Sequence, residues 1–176
     1  RASFLVVGNQ ETKIFEYWNL FENSKPNKFL KEPLKKIKKL ILESVEKRSI
    51  SDVSNGVFLS GDISSSILVA AASKVSNEKI NTFSVFLKEK GSEERKFSRT
   101  VANIYNTNHF ELELNSEDIL HQIEEPFKFM DHPSIGGIST FFISKLVHEK
   151  GFKMALSSVG ADELFAGSSV FKQALE

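Results

Sequence analysis

Gly56-Val57-Phe58-Leu59-Ser60-Gly61-Asp62-Ile63-Ser64-Ser65-Ser66-Ile67-Leu68 reads as a strand, a tight turn and the start of a helix. A short apolar run ends in small polar residues. These give way at once to a second apolar run, Ile67 to Ala72, made of good helix formers. The turn places hydroxyls and a glycine where a helix begins. Free backbone N–H groups and the positive end of the helix dipole converge there, and both favour an anion. Two readings follow from this stretch: a capped helix behind a buried strand, and a seat for a phosphate.

Downstream, apolar segments alternate in character. Ile80 to Leu87 is rich in β-branched and aromatic residues and predicts a buried strand. Phe97, Val101, Ile104 and Tyr105 keep a helical period. His109 to Leu114 alternates as a strand, and Ser116 with Asp118 predicts a capped helix to about Ile123. Pro126 to Gly137 is expected as an irregular loop, Ile138 to His148 as a helix and Lys153 to Leu156 as a short strand. A turn over Ser157–Gly160 then leads to a helix beginning at Asp162. Strands alternating with helices of this length predict an α/β fold, a doubly wound and mostly parallel sheet with helices on both faces. Ligands of such sheets bind beyond the carboxyl ends of the strands. Set side by side, the turns at 60–66 and 157–163 would put a phosphate nest against Asp162 and Glu163. Carboxylates facing phosphates need a cation between them, and Mg²⁺ is the usual one.

Before this region, Phe4 to Val7 and Lys13 to Tyr17 flank Gly8-Asn9 and predict a hairpin. Residues 1–22 are expected as a hairpin or linker piece, with a linker over 22–28, and 23–176 as the domain. Pro33 opens a helix whose Leu34, Ile37, Ile41 and Val45 form an apolar stripe. The lysines between them form a solvated face.

Bulk composition narrows the function classes. The 176 residues suffice for a real core. Lys+Arg and Asp+Glu both number 23, which argues against a nucleic-acid or membrane-surface binder. With no Cys there is no disulfide, thiolate nucleophile or thiolate metal site. No run approaches the ~18 apolar residues of a membrane span, and no signal segment is present, so a cytoplasmic location is expected. His109, His121, His132 and His148 are widely separated, which predicts no metal cluster. The 16 Phe residues are expected in the core. The triple serine at 64–66 lacks a Gly-x-Ser-x-Gly elbow, which excludes a serine hydrolase of that kind.

Five pieces occur in order: Gly-Val-Phe-Leu-Ser-Gly (56–61), Thr-Phe-Ser-Val (82–85), Glu-Glu-Pro-Phe (124–127), Asp-His-Pro-Ser (131–134) and Asp-Glu-Leu-Phe-Ala-Gly (162–167). Together they resemble the synthetase domain of glutamine-hydrolysing asparagine synthetases, a PP-loop ATP pyrophosphatase domain, over about residues 16–176. The resemblance implies adenylation of a carboxylate (aspartate or another) by MgATP, release of pyrophosphate, and displacement of AMP by ammonia. It implies pyrophosphate contacts at Ser60, Gly61, Ser65 and Ser66. Leu59 and Val85 would line the adenosine, and Ser157, with Gly160 in the same turn, would contact the nucleotide. Asp162 would bind Mg²⁺, and Glu94 and Arg99 would form a charged pair. It also implies a glutaminase domain, separate or missing, and a C-terminal helical part beyond this sequence.

The chain departs from the family loop Ser-Gly-Gly-x-Asp-Ser. Asp62 replaces the second Gly and Ser64 the Asp that would be a second Mg²⁺ ligand. Gly136 and Val159 replace an acidic residue and an acidic or Gln residue in two later motifs. A carboxylate at ~4 Å from a phosphate, at an effective dielectric near 20, repels it by about 4 kcal/mol. Asp62 could instead swing over and supply the lost metal ligand. Two function readings therefore stand: an amide-forming ligase, and a relative that keeps the fold, with or without nucleotide binding, but not turnover. No residue is assigned a catalytic role.

Overall fold

The computed structural model of the chain describes residues 2–8, 11–19, 22, 31–50, 55–88, 92–132, 134 and 136–174. The chain divides into two compact units, Arg1–Ile37 and Lys38–Glu176. In the first unit, β1 (Ser3–Val7) and β2 (Thr12–Glu16) pair antiparallel, from Ser3 opposite Glu16 to Val7 opposite Thr12. The turn closes with Gly8 N–H donating to the Glu11 carbonyl at 2.9 Å. The rings of Phe4 and Phe15 stack with centroids 5.2 Å apart. The expected linker at 22–28 lies, apart from Glu22, outside the described residues.

Helix α1 (Pro33–Ser49) begins at Pro33, where the missing N–H costs nothing. The second unit continues with β3 (Asn55–Phe58), α2 (Ile63–Val75), β4 (Asn81–Leu87), α3 (Ser92–Ile104) and β5 (Asn108–Leu114). Then follow α4 (Ser116–His121), α5 (Glu124–Lys128), α6 (Gly137–Glu149), β6 (Met154–Leu156), α7 (Ala161–Phe165) and α8 (Ser169–Gln173). The four strands form one parallel sheet in the order β5-β4-β3-β6. Val57 sits between Thr82 of β4 and Leu156 of β6.

Alternation along the strands sends side chains to two faces, and each face has its own core. Val57 and Leu59 pack with Val45 of α1, Val69 and Ala72 of α2 and Ala102 of α3. On the other face Phe83, Phe58 and Phe110 pack with Leu146 and Val147 of α6. The Phe83 ring stacks on Phe110 at 5.1 Å and meets Phe152 edge-on at 5.2 Å. Burying a side chain of this size contributes roughly 1.5–3 kcal/mol. This is the α/β doubly wound architecture expected from the sequence.

Several local expectations are corrected. The helix over 92–104 forms, but Phe97 and Ile104 face solvent, and the small residues Ser98 and Ala102 face inward. Val101 of α3 also packs against the core around Val57. Likewise only the later part of the stripe on α1 is covered: Val45 is buried, whereas Leu34 is exposed. Of the phenylalanines, Phe83, Phe86 and Phe142 are buried, while Phe4, Phe97, Phe129 and Phe165 are exposed. The cap of α4 is Asn115 rather than Ser116. Asn115 Oδ1 accepts from Asp118 N at 2.8 Å and Asp118 Oδ2 accepts from Asn115 N at 3.0 Å, a reciprocal capping box. Pro126 lies within α5, not in a loop, and is buried. Pro133 and Ile135 lie outside the described residues. Among the described residues, no helix is long and apolar enough to cross a membrane.

Candidate functional site

β3 leads through α2 to β4 and through α3 to β5, stepping in one direction. The chain then returns to place β6 on the opposite side of β3. The direction of winding therefore reverses between β3 and β6. At such a reversal the loops leaving the two strands diverge and open a crevice at their carboxyl ends. The loop Ser60–Ser66 leaves β3 there, and the turn Ser157–Gly160 leaves β6. The two meet: Ser64 Oγ and Ser158 Oγ are 3.2 Å apart. The sheet order thus brings together the two turns that the sequence reading considered side by side.

Gly61 fixes the loop's path. Its φ is +100°, and a Cβ there would lie 2.5 Å from the Glu94 carbonyl oxygen and 3.0 Å from Ser98 N. Only glycine combines that conformation with so close an approach to α3. Asp62 follows as the N-cap of α2. Its Oδ1 accepts from Ser65 N at 2.6 Å and from Ser64 Oγ at 3.0 Å. Its Oδ2 lies 2.9 Å from Ser60 Oγ, which is also 2.9 Å from Ser65 Oγ. The Ser66 hydroxyl donates to the Asp62 carbonyl. Partial burial pushes the Asp62 carboxyl up, but the hydrogen bonds from Ser65, Ser60 and Ser64 together outweigh it. They hold it below the ordinary carboxylate value.

Both Asp62 oxygens thus accept hydrogen bonds within the loop, as the cap of α2. Leu59, directly before Ser60, is fully buried in the core. Val85, on β4 beside β3, is half-buried. Ser60 and Ser66 remain accessible on the loop, whereas Ser65 is buried. In the second turn, Ser157 Oγ accepts from Val159 N at 3.3 Å, and Gly160 takes φ +95° ahead of α7. Ser157 is exposed, and Val159, at 92% exposure, presents an apolar side chain to solvent.

Asp162 stands exposed in the first turn of α7, its carboxylate against Gly167. Among the described residues, no group of three or more His, Asp or Glu side chains is placed to hold a metal ion. With Asp62 committed to its cap, the donor set does not fit a metal centre made by the protein alone. It does fit Mg²⁺ carried by a polyphosphate, which uses one or two carboxylates and otherwise phosphate and water oxygens.

The charged pair expected between Glu94 and Arg99 is replaced by another. Arg99 Nε and Nη2 clasp Glu111 of β5 at 2.8 and 2.7 Å, and Arg95 bonds Glu111 at 3.1 Å and also Glu113. Glu111 is held below its ordinary value, first by Arg99 and against the opposing effect of burial. Next to it His109 is pushed down by burial, with Glu111 opposing, and its Nδ1 lies 2.9 Å from Thr82 Oγ1. The alternation of His109, Glu111 and Glu113 on one face of β5 was the sequence signal for this network. It joins α3 to the sheet away from the crevice residues. At the other end of β3, a cavity of about 220 Å³ lined by Asn55, Asn81, Ser76 and Lys79 touches none of the candidate residues.

Residues 36–176 match the family model described as asparagine synthase. The chain is 30% identical over 151 residues to an asparagine synthetase (glutamine-hydrolyzing) of Zea mays, covering 78% of this chain and 25% of that protein. It is 32% identical to asparagine synthetase 3 of Arabidopsis thaliana, with 75% and 25% covered. For asparagine synthetase 1 of Bacillus subtilis the identity is 30%, with 81% and 22% covered. The chain thus spans about a quarter of the length of these curated relatives. Among solved structures it resembles an NH3-dependent NAD synthetase from Campylobacter jejuni, with TM-score 0.51, 12% identity, and 78% of this chain and 62% of that one covered. It also resembles an NMN synthetase from Francisella tularensis, with TM-score 0.50, 8% identity, and 68% and 52% covered. At these identities the structural likeness establishes a shared α/β fold and nothing more. With four-fifths of its length matched by the family model, the chain belongs to the asparagine synthase family.

Proposed function

We propose that this chain is the nucleotide-binding part of an asparagine synthetase-type amide ligase working in the cytoplasm. ATP would lie in the crevice between β3 and β6. Its adenosine would rest beside Val85, its phosphates would face Ser60, Gly61, Ser65 and Ser66, and Ser157 and Gly160 would bound the other wall. Mg²⁺, when bound with the nucleotide, neutralises phosphate charge, and Asp162 would hold it. A carboxylate oxygen, from aspartate or a related acid, would attack the α-phosphorus as the bond to pyrophosphate breaks. Ammonia, free or released from glutamine by a glutaminase domain, would then attack the acyl carbon. The C–O bond to AMP breaks, and the nitrogen sheds its proton to water.

The observation that supports this reading is the 3.2 Å approach of Ser64 and Ser158, which brings the loops after β3 and β6 together. Calorimetric titration with ATP, with and without Mg²⁺, tests it. Saturable, Mg²⁺-dependent binding is expected, and no heat at millimolar ATP overturns it.

A second reading has its own support: a relative that keeps the fold without turnover. The Asp62 carboxylate occupies the loop, and exposed Val159 can neither orient a reacting group nor stabilise charge. The triple substitution Asp62→Gly, Ser64→Asp and Val159→Glu separates the two. Pyrophosphate release that appears only in the triple variant favours the second reading, and equal release favours the first.

A further inference from the structure

Two backbone bonds fix which way each residue of β4 faces. Asn108 N donates to the Ile80 carbonyl and Lys88 N to the Leu114 carbonyl, each at 2.9 Å. β4 and β5 are parallel, with Asn81 opposite Asn108. The even-numbered residues of β4 therefore turn their N–H and C=O groups to β5, and the odd-numbered ones turn theirs to β3. On the β3 side, Leu59 N donates to the Phe83 carbonyl at 2.8 Å. The next bond of a parallel ladder would run from Val85 N–H to the Leu59 carbonyl. Among the described residues that bond is not made. The Ser84 hydroxyl donates to the Leu59 carbonyl instead, and Ser84 is only 1% exposed, so water does not compete for it.

We infer that Ser84 is a positioning residue of the crevice: its hydroxyl ends the β3–β4 ladder at Leu59, so that the loop after β3 leaves the sheet there and the β3-facing edge of β4 from Val85 onward stays open to a ligand. This role rests on reading the crevice as a nucleotide site, and it names the group that holds loop and sheet apart. β3 pairs with β4 only as far as Phe58 opposite Phe83, whereas β4 stays paired with β5 as far as Leu87 opposite Leu114. Past Leu59 the main chain turns to α3, where Gly61 lies against the Glu94 carbonyl and Ser98 N. The Leu59 carbonyl stands between these two courses. Leu59 is fully buried, so its carbonyl needs a donor from the chain. Which donor it takes decides the path of the loop. A bond from Val85 N–H would continue the ladder and draw Ser60 along β4. A bond from a side chain one residue earlier satisfies the oxygen and lets the main chain turn away.

The test compares wild type with Ser84→Ala, which removes the donor, and Ser84→Thr, which keeps it. Circular dichroism verifies that each folds. Ser84→Cys, of serine's shape with a weaker donor, takes the place of a variant that does not. Hydrogen exchange followed by NMR reads the ladder directly. In Ser84→Ala the Leu59 carbonyl is expected to close on Val85 N–H and slow its exchange about tenfold, the worth of one such bond. Ser84→Thr should keep the wild-type rate. Unchanged exchange at Val85 in Ser84→Ala overturns the role of Ser84 in ending the ladder. Calorimetric titration with MgATP reads the consequence for the crevice. Affinity is expected to fall at least about tenfold in Ser84→Ala and to return in Ser84→Thr. Lower thermal stability with unchanged MgATP affinity would mean a structural bond only and overturns the positioning role. If wild type binds no MgATP while Val85 exchange slows in Ser84→Ala, the nucleotide reading fails and the parting of the strands by Ser84 stands.

Discussion

Ser64 and Ser158, ninety-four residues apart in sequence, bring their hydroxyl oxygens to 3.2 Å and so tie the loop after β3 to the turn after β6. β6 is only three residues long and reaches the rest of the sheet through β3 alone. The contact therefore adds a second anchor to a short edge strand. Ser158→Ala is expected to lower unfolding stability by about 0.5–1.5 kcal/mol, the usual net value of one such bond. A cycle with Ser64→Ala, read from urea midpoints, should show the two losses to be less than additive. Full additivity would mean that the hydroxyls do not interact.

Asp62→Ala should cost about 0.5–2 kcal/mol through loss of the α2 cap, whereas Asp62→Asn should stay close to wild type at neutral pH. The acid limb gives an independent reading. The folded carboxyl titrates below its ordinary value of 3.8. Its contribution is complete above 3.8 and is lost as pH falls through the lower folded value. Urea unfolding across this range should show a shallower acid loss for Asp62→Asn than for wild type.

Gly61→Ala is the substitution in the loop with the most severe expected effect on folding. It would place a Cβ at φ +100° and 2.5 Å from a carbonyl oxygen. The conformational part alone costs about 1–2 kcal/mol, and the clash adds to it. Thermal unfolding should show a loss of at least about 2 kcal/mol. A variant as stable as wild type would contradict the close packing of loop and α3.

The network on β5 makes a coupled pH prediction. Glu111 titrates below 4.5 when folded, so its stabilising effect is present above 4.5 and is lost as pH falls through the folded value. Glu111→Gln should be less stable than wild type at neutral pH and converge on it in acid. His109 is pushed below 6.5, so the unfolded chain takes up its proton first and stability falls as pH drops below 6.5. Glu111 supports the protonated imidazole. Its replacement by Gln should move the NMR titration midpoint of His109 lower still, and a midpoint that rises would contradict the geometry.

The strand-turn-helix at 56–68 and the order of strands and helices were legible because both depend on local pattern: period, turn residues and the length of apolar runs. The side-by-side placement of the two turns was a supposition from sequence, and the strand order β5-β4-β3-β6 supplies it. What the pattern did not reveal was orientation. Phe97 and Ile104 marked a helix correctly but belong to its outer face, while Ser98, Val101 and Ala102 form the inner one. Asp62 carried the signature of a cap, an Asp directly before a helix with Ser65 three positions on. Arg99 found Glu111 rather than Glu94 because the partner lies across on a strand, which sequence spacing within a helix cannot show.

Gly61 has a consequence that extends beyond stability. With the main chain of the loop held against α3, the chemical character of the seat is written in side chains alone. Substitutions on this loop can therefore change its charge and its hydrogen-bonding groups while the main chain keeps its path.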